Sequence, residues 1–229
     1  LPDHAKIYAE MAITYDRMIS KQPDLTSVLE NIRPFSGLDV IDLGAGTGRL
    51  TCLLAPVARS VLVLDQSRAM LDVAAAKLRQ AGLTNWKTLV ADHQNIPAES
   101  SSADLVVAGW TLCYSVHSHV PGHKENLARI LREIERVLKP GGTVIIFETM
   151  GTGTDKPQPP SFLTEYYEAL ERDYGFSRTV IRTDYRFDDP AEAEELMRFF
   201  FGNELADTVR TNGLVRIPEW AGVWWKHFR

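Results

Sequence analysis

A chain of 229 residues with 45% hydrophobic content can bury one full core with a cap, but not two large domains. Its net charge of −5 is mixed along the chain without a basic run, which argues against a nucleic-acid backbone as the main partner. The two cysteines, Cys52 and Cys113, form neither a disulfide framework nor a metal spacing and suit a reducing cytoplasm. No apolar segment is long enough to span a bilayer, and Asp3, His4, Lys6 and Glu10 are unlike a signal peptide.

In chain order, residues 4–21 predict a helix with Ile7, Met11, Thr14, Tyr15 and Met18 on one face. A second helix is expected from Asp24 as cap to about Ile32, closed by Pro34. The run Leu38, Val40, Ile41, Leu43 then reads as a buried strand. Gly44, Gly46 and Gly48 follow, and Leu50, Leu53 and Leu54 predict a helix from about Gly48. The N-terminus of that helix would suit a carboxylate. The spacing is G-x-G-x-G: Arg49 fails the G-x-G-x-x-G dinucleotide pattern, and no Gly-Lys-Ser/Thr follows.

Val61–Leu64 reads as a second buried strand ending in Asp65, 17 positions after Gly48. A carboxylate at that offset can accept both hydroxyls of a ribose. Ser67 is expected to cap a helix burying Met70, Leu71, Ala74, Ala75 and Leu78, with Gly82 at its end. Strands are expected at Trp86–Ala91 and Asp104–Ala108, with Gly109–Ser115 leaving the latter's carboxyl end. His117, His119 and His123 sit in a loop with Pro121 and Gly122, a poor metal pattern without a carboxylate partner. Leu127, Ile130, Leu131, Ile134 and Val137 predict a helix, Lys139-Pro140-Gly141-Gly142 a turn, and Thr143–Phe147 a strand. Residues 151–160 read as a linker. Beyond it a helix from about Phe162, a strand Thr179–Phe187, a helix capped by Asp189-Pro190 and a strand Ala221–Phe228 are expected.

The glycine loop behind Asp42, then Asp65, Asp92 and the Leu-Lys-Pro-Gly-Gly step before an apolar strand, resembles class I S-adenosylmethionine-dependent methyltransferases. The likeness is to their small-molecule branch, including quinone-biosynthesis enzymes. It covers residues 38–148 and fades over 151–229. It implies an α/β fold: a doubly wound, seven-stranded, mostly parallel sheet with an antiparallel last strand, N-terminal helices and a helical acceptor lid. One integrated domain would then comprise cap helices (1–36), a cofactor-binding core (37–150) and the lid with the last two strands (151–229). The resemblance implies S-adenosylmethionine as methyl donor, with S-adenosylhomocysteine as product and no metal. It assigns Asp42, Gly44, Ala45, Gly46 and Gly48 to the loop, Asp65 to the ribose, Asp92 and His93 to the adenine, and Gln66 to the cofactor site. Tyr8, Met70 and Gly109 complete the cofactor set.

The acceptor is expected to be a small molecule, methylated on O, N or C. Tyr15, Tyr114, His117, His119 and Glu148 are the candidates to face it, a histidine or carboxylate serving as base where the acceptor must lose a proton. No Asn/Asp-Pro-Pro-aromatic motif follows the fourth strand, which disfavours adenine and glutamine amide acceptors. The alternatives are a peptide or protein acceptor, a nicotinamide oxidoreductase, and a non-catalytic protein that binds S-adenosylmethionine.

Overall fold

A computed structural model describes residues 2–229. The apolar run β1 (Asp39–Leu43) lies parallel between β2 (Ser60–Asp65) and β4 (Ala103–Gly109). β3 (Trp86–Val90) extends the sheet beyond β2, and β5 (Leu138–Thr152) extends it beyond β4. β9 (Glu219–His227) and β6 (Ser177–Arg182) complete the order β3-β2-β1-β4-β5-β9-β6. β9 runs antiparallel to both neighbours, so the expected seven-stranded sheet with an antiparallel last strand is the observed one. Strand order reverses between β1 and β4. Their carboxyl ends, Leu43 and Gly109, therefore open the crevice in which such sheets hold ligands.

Both faces of the sheet are covered, which is why its strands are apolar without alternation. Ile41, Val106 and Ile146 pack towards α7 (His123–Val137) and α8 (Thr164–Arg172). Val40, Val107 and Phe147 pack towards α3 (Thr26–Ile32), α4 (Thr51–Leu54) and α5 (Arg68–Gln80). α5 buries the five predicted residues. The Ser67 hydroxyl accepts from the Met70 N–H at 3.3 Å, and Gly82 follows at φ +70°.

Several elements depart from the sequence reading. The N-terminal helix is two: α1 (His4–Glu10) and α2 (Ala12–Ile19), broken at Met11. The Tyr8 carbonyl, which a continuous helix offers to Ala12, instead accepts the Ser67 hydroxyl at 2.6 Å, tying α1 to α5. Asp24 does not hold the cap position expected of it: α3 (Thr26–Ile32) starts one residue later, behind Leu25, and Asp24 accepts from the Thr26 N–H at 2.6 Å from the position before the cap. α4 starts at Thr51 rather than Gly48 and spans only 4 residues. So short a helix has little dipole, and the expected carboxylate site at its N-terminus is withdrawn.

Residues Leu138–Gly142 belong to β5, with a register shift against β4, rather than forming a separate turn. His123 opens α7 instead of lying in the histidine loop; α6 (Cys113–Val116) precedes that loop. Residues 151–160 fold back rather than link: Gln158 N–H donates to Met150 O and Gly153 N–H to Pro218 O. The strand expected over Thr179–Phe187 is split into β6 and β7 (Tyr185–Arg186), the latter paired with β8 (Arg216–Ile217) in a second sheet. Asp189 caps α9 (Pro190–Phe201) as expected, and Gly202 separates it from α10 (Asn203–Asn212), which the sequence reading missed.

Candidate active site

The glycine loop passes from β1 towards α4 with Gly44, Gly46 and Gly48 all at positive φ, between +55° and +83°. At Gly44 the requirement is double. A Cβ there would lie 2.0 Å from Thr111 Oγ1, on the segment leaving β4. Gly44→Ala is therefore expected to cost about 2–4 kcal/mol, combining overpacking with a disfavoured backbone. A melting temperature within a degree of wild type would contradict this reading.

Asp42 is buried beneath the loop and accepts from the Thr51 hydroxyl; burial pushes its carboxyl up to about 7. It supports the loop from below and also reaches the cavity wall. Asp65, at the end of β2, organises the loop from the other side. One of its oxygens accepts from the Gly46 N–H and the other from the Ser67 N–H, both at 2.8 Å. A carboxylate oxygen has a second lone pair, so each oxygen can still accept from a ligand hydroxyl.

A cavity of about 960 Å³ opens along this edge of the sheet. Tyr8, Asp42, Gly44, Ala45, Gly46, Asp65, Met70 and Gly109 line it on the cofactor side; Tyr15, Tyr114, His117, His119 and Glu148 line it on the other. The sequence-named residues are thus largely brought together. Four are not on its wall. Gly48 packs its backbone against Ala74 on α5, where a Cβ would lie 3.1 Å from the Ala74 Cβ. Gln66 Nε2 donates to Asp92 at 2.7 Å, and both are exposed beside the β2 and β3 ends. His93 is buried with Nε2 2.9 Å from Thr111 Oγ1, its Nδ1 without a partner.

Glu148, at the carboxyl half of β5, is fully buried. Its Oε1 accepts from the Cys113 N–H at 3.0 Å and the Tyr166 hydroxyl at 3.3 Å, while Oε2 has no partner. Burial raises its carboxyl to about 7, partly offset by the hydrogen bonds at Cys113 and Tyr166. Tyr8 and Tyr114 share a 2.6 Å hydroxyl hydrogen bond, and Tyr15 meets Tyr8 edge-on at 5.4 Å. Burial raises all three phenols, Tyr15 to about 12, so none ionises readily. His4 stacks on Phe200 at 4.3 Å and completes this aromatic wall between α1, α2, α6 and α9.

His117 packs edge-on to Phe162 at 5.4 Å; burial, then His119 and His123, hold its imidazole below the usual value. His123 is turned away to Glu165, 3.0 Å from Nε2. Among the described residues no group of three or more His, Cys, Asp or Glu side chains could hold a metal ion, and no helix is long and apolar enough to cross a membrane.

The sequence reading overlooked several wall residues. Arg49 was noticed only as an absent glycine. Its guanidinium lies 4.1 Å over the Trp110 ring and faces the cavity. Glu219 starts β9 and is buried, with an unpartnered Oε2. Tyr185 and Phe200 also line the wall, whereas Thr111 lies on the segment leaving β4 that was expected to line it. A charged residue next to a turn proline carries no local signal of burial.

The sheet order, the glycine loop and the carboxylate ending β2 give a doubly wound core with an open edge at the carboxyl ends of β1 and β4. Residues 41–146 match the family described as "Methyltransferase domain". The chain is 33% identical over 153 residues to a demethylmenaquinone methyltransferase from Lactococcus lactis, covering 63% of this chain and 57% of that protein. It is 32% identical over 176 residues to a malonyl-[acyl-carrier protein] O-methyltransferase from Pectobacterium atrosepticum, covering 76% and 60%. It thus spans little more than half the length of these two curated relatives. In three dimensions it resembles a SAM-dependent methyltransferase from Aquifex aeolicus, with TM-score 0.59, 20% identity and 90% of each chain covered. Over residues 41–146 the core matches a methyltransferase domain family, and the chain is similar in sequence to methyltransferases of the quinone type.

The wall fits that family's donor. Bare glycine backbone lets a ligand approach closely, and Asp65 keeps acceptor capacity at the cavity wall, which is what a diol would need.

Proposed function

We propose that the protein transfers the methyl group of S-adenosylmethionine in line to a nucleophile of a small molecule. The observation that carries this reading is one continuous cavity whose lining includes Asp65 and the Gly44–Gly46 loop on one side and Glu148, a carboxyl with one unpartnered oxygen, on the other. When bound, the donor supplies an electrophilic sulfonium methyl. Asp65 would hold the ribose hydroxyls, Asp92 and the His93 backbone the adenine, and Gly44 and Gly46 would border the methionine part. Holding the two reactants in line can contribute about 7–11 kcal/mol towards the barrier. On the acceptor side Glu148 is the group best placed to remove a proton, with His117 as the second candidate. We read residues 1–36 and 151–229 as the parts that enclose the acceptor, and the free thiols of Cys52 and Cys113 support a cytoplasmic setting.

A peptide acceptor would call for an open acidic groove, whereas this wall is built from the rings of His4, Tyr8, Tyr114 and Phe200. The test is transfer of a labelled methyl group from S-adenosylmethionine into a fractionated cell extract. Label is expected in the low-molecular-weight fraction. Label in peptides would move the acceptor to that class. Tight S-adenosylhomocysteine binding without any transfer would make the protein a non-catalytic binder. Binding of NADH alone would restore the oxidoreductase.

A further inference from the structure

We propose that Arg49 is a carboxylate receptor built into the wall of the cavity, holding an anionic end of one of the two reactants. This rests on the methyl-transfer reading above. Arg49 follows directly on the glycine loop and is the single Lys or Arg among the described residues that line the cavity. Its Nη2 is shielded from solvent and has no hydrogen-bond partner. Guanidinium stays charged in proteins, so this is a standing positive charge with an unmet donor.

The group is also held in place. Its central carbon lies 4.1 Å over the Trp110 ring, and Trp110 stacks on Phe147 at 5.5 Å. Trp110 sits at φ +52°, a conformation that bulky residues rarely adopt, and its N–H donates to Phe147 O at 2.7 Å. With one face of the guanidinium against an aromatic ring, only its edge of N–H groups is left to bind. That edge matches the two coplanar oxygens of a carboxylate.

Among the described residues no carboxylate forms an ion pair with it. The groups that face it electrostatically are Tyr185, Tyr15 and Glu219. Burial raises both phenols, Tyr15 to about 12, and pushes the Glu219 carboxyl up to about 8. Glu219 Oε1 takes the Thr149 hydroxyl at 3.4 Å instead. A phosphate dianion would need more than one cation, and the wall offers one. A single carboxylate balances it.

That carboxylate could come from the methionyl end of the donor or from the acceptor, and calorimetry separates the two. Wild type, Arg49→Met and Arg49→Lys are titrated with S-adenosylhomocysteine and with 5′-deoxy-5′-methylthioadenosine, which lacks the amino-acid carboxylate. Benzoate is then titrated into each protein saturated with S-adenosylhomocysteine. If the donor is held, Arg49→Met loses at least tenfold in S-adenosylhomocysteine affinity and nothing for methylthioadenosine. If the acceptor is held, S-adenosylhomocysteine affinity is unchanged and a benzoate site seen in wild type disappears. Arg49→Lys keeps the charge without the fork and is expected to fall between, which preserves the test if the methionine variant folds poorly. Variants indistinguishable from wild type in both arms overturn the proposal. A wild type that binds no S-adenosylhomocysteine overturns the methyl-transfer reading instead.

Discussion

Asp65→Ala is expected to lower S-adenosylhomocysteine affinity by roughly 10²–10⁴-fold. Each oxygen of Asp65 already accepts one backbone N–H, from Gly46 or from Ser67, and keeps one lone pair for a ribose hydroxyl. Hydrogen bonds to a charged acceptor are worth about 1.5–3 kcal/mol each, and two are lost together. The loop loses its anchor at Gly46 in the same step, so the effect on binding exceeds the two ligand contacts alone. Asp65→Asn keeps one acceptor oxygen at the same size and is expected to lose roughly 10–100-fold. Isothermal calorimetry on folded variants decides. An alanine variant that binds as wild type does would move the ribose away from β2.

The glycine-loop side of the cavity was legible in the sequence because its determinants are local. β1, the glycines, β2, Asp65, Ser67 and α5 lie within about forty residues, each read from strand runs, turn chemistry or helical spacing. The acceptor half was legible only as separate residues. Glu148 and Glu219 reach one cavity because β5 and β9 pair antiparallel, with Gly222 opposite Glu148 and Thr152 opposite Glu219, and nothing near either residue announces that pairing.

The segment 151–160 misled for the same reason. Its Gly and Pro content reads as a linker, yet what shapes it is a set of long-range bonds, such as the Trp220 indole donating to the Thr154 carbonyl at 3.0 Å. Helical periodicity over 4–21 was also real, but the break at Met11 follows from a hydroxyl on a distant segment, Ser67. Arg49 illustrates the limit best. In the sequence it is a violation of a glycine pattern; in the fold it is a cation on an aromatic ring at the cavity wall.

Glu148→Gln is expected to separate catalysis from stability, with opposite signs. Well below pH 4.5 the carboxyl is protonated in the folded and the unfolded chain alike, and Gln and Glu should be equally stable. Between 4.5 and about 7 the unfolded chain ionises while the buried carboxyl keeps its proton, so rising pH weakens the wild type. Above about 7 that penalty is complete. At 1.36 kcal/mol per pKa unit it reaches about 3 kcal/mol, or roughly 5–10 °C in melting temperature. Glu148→Gln escapes it and should melt higher than wild type from above pH 4.5, with the full margin reached above about 7.

For an acceptor that must lose a proton, the same substitution is expected to reduce kcat by roughly 10²–10⁴-fold. The wild-type rate should rise with pH through about 7 as Glu148 ionises, and the variant should lack that limb. His117 is the competing base, and burial holds its imidazole below the ordinary 6.5. A limb below 6.5 that survives Glu148→Gln and vanishes in His117→Ala would transfer the role to the histidine. A rate independent of pH in wild type and both variants would mean that the acceptor arrives already able to attack, as a neutral amine or a carboxylate does.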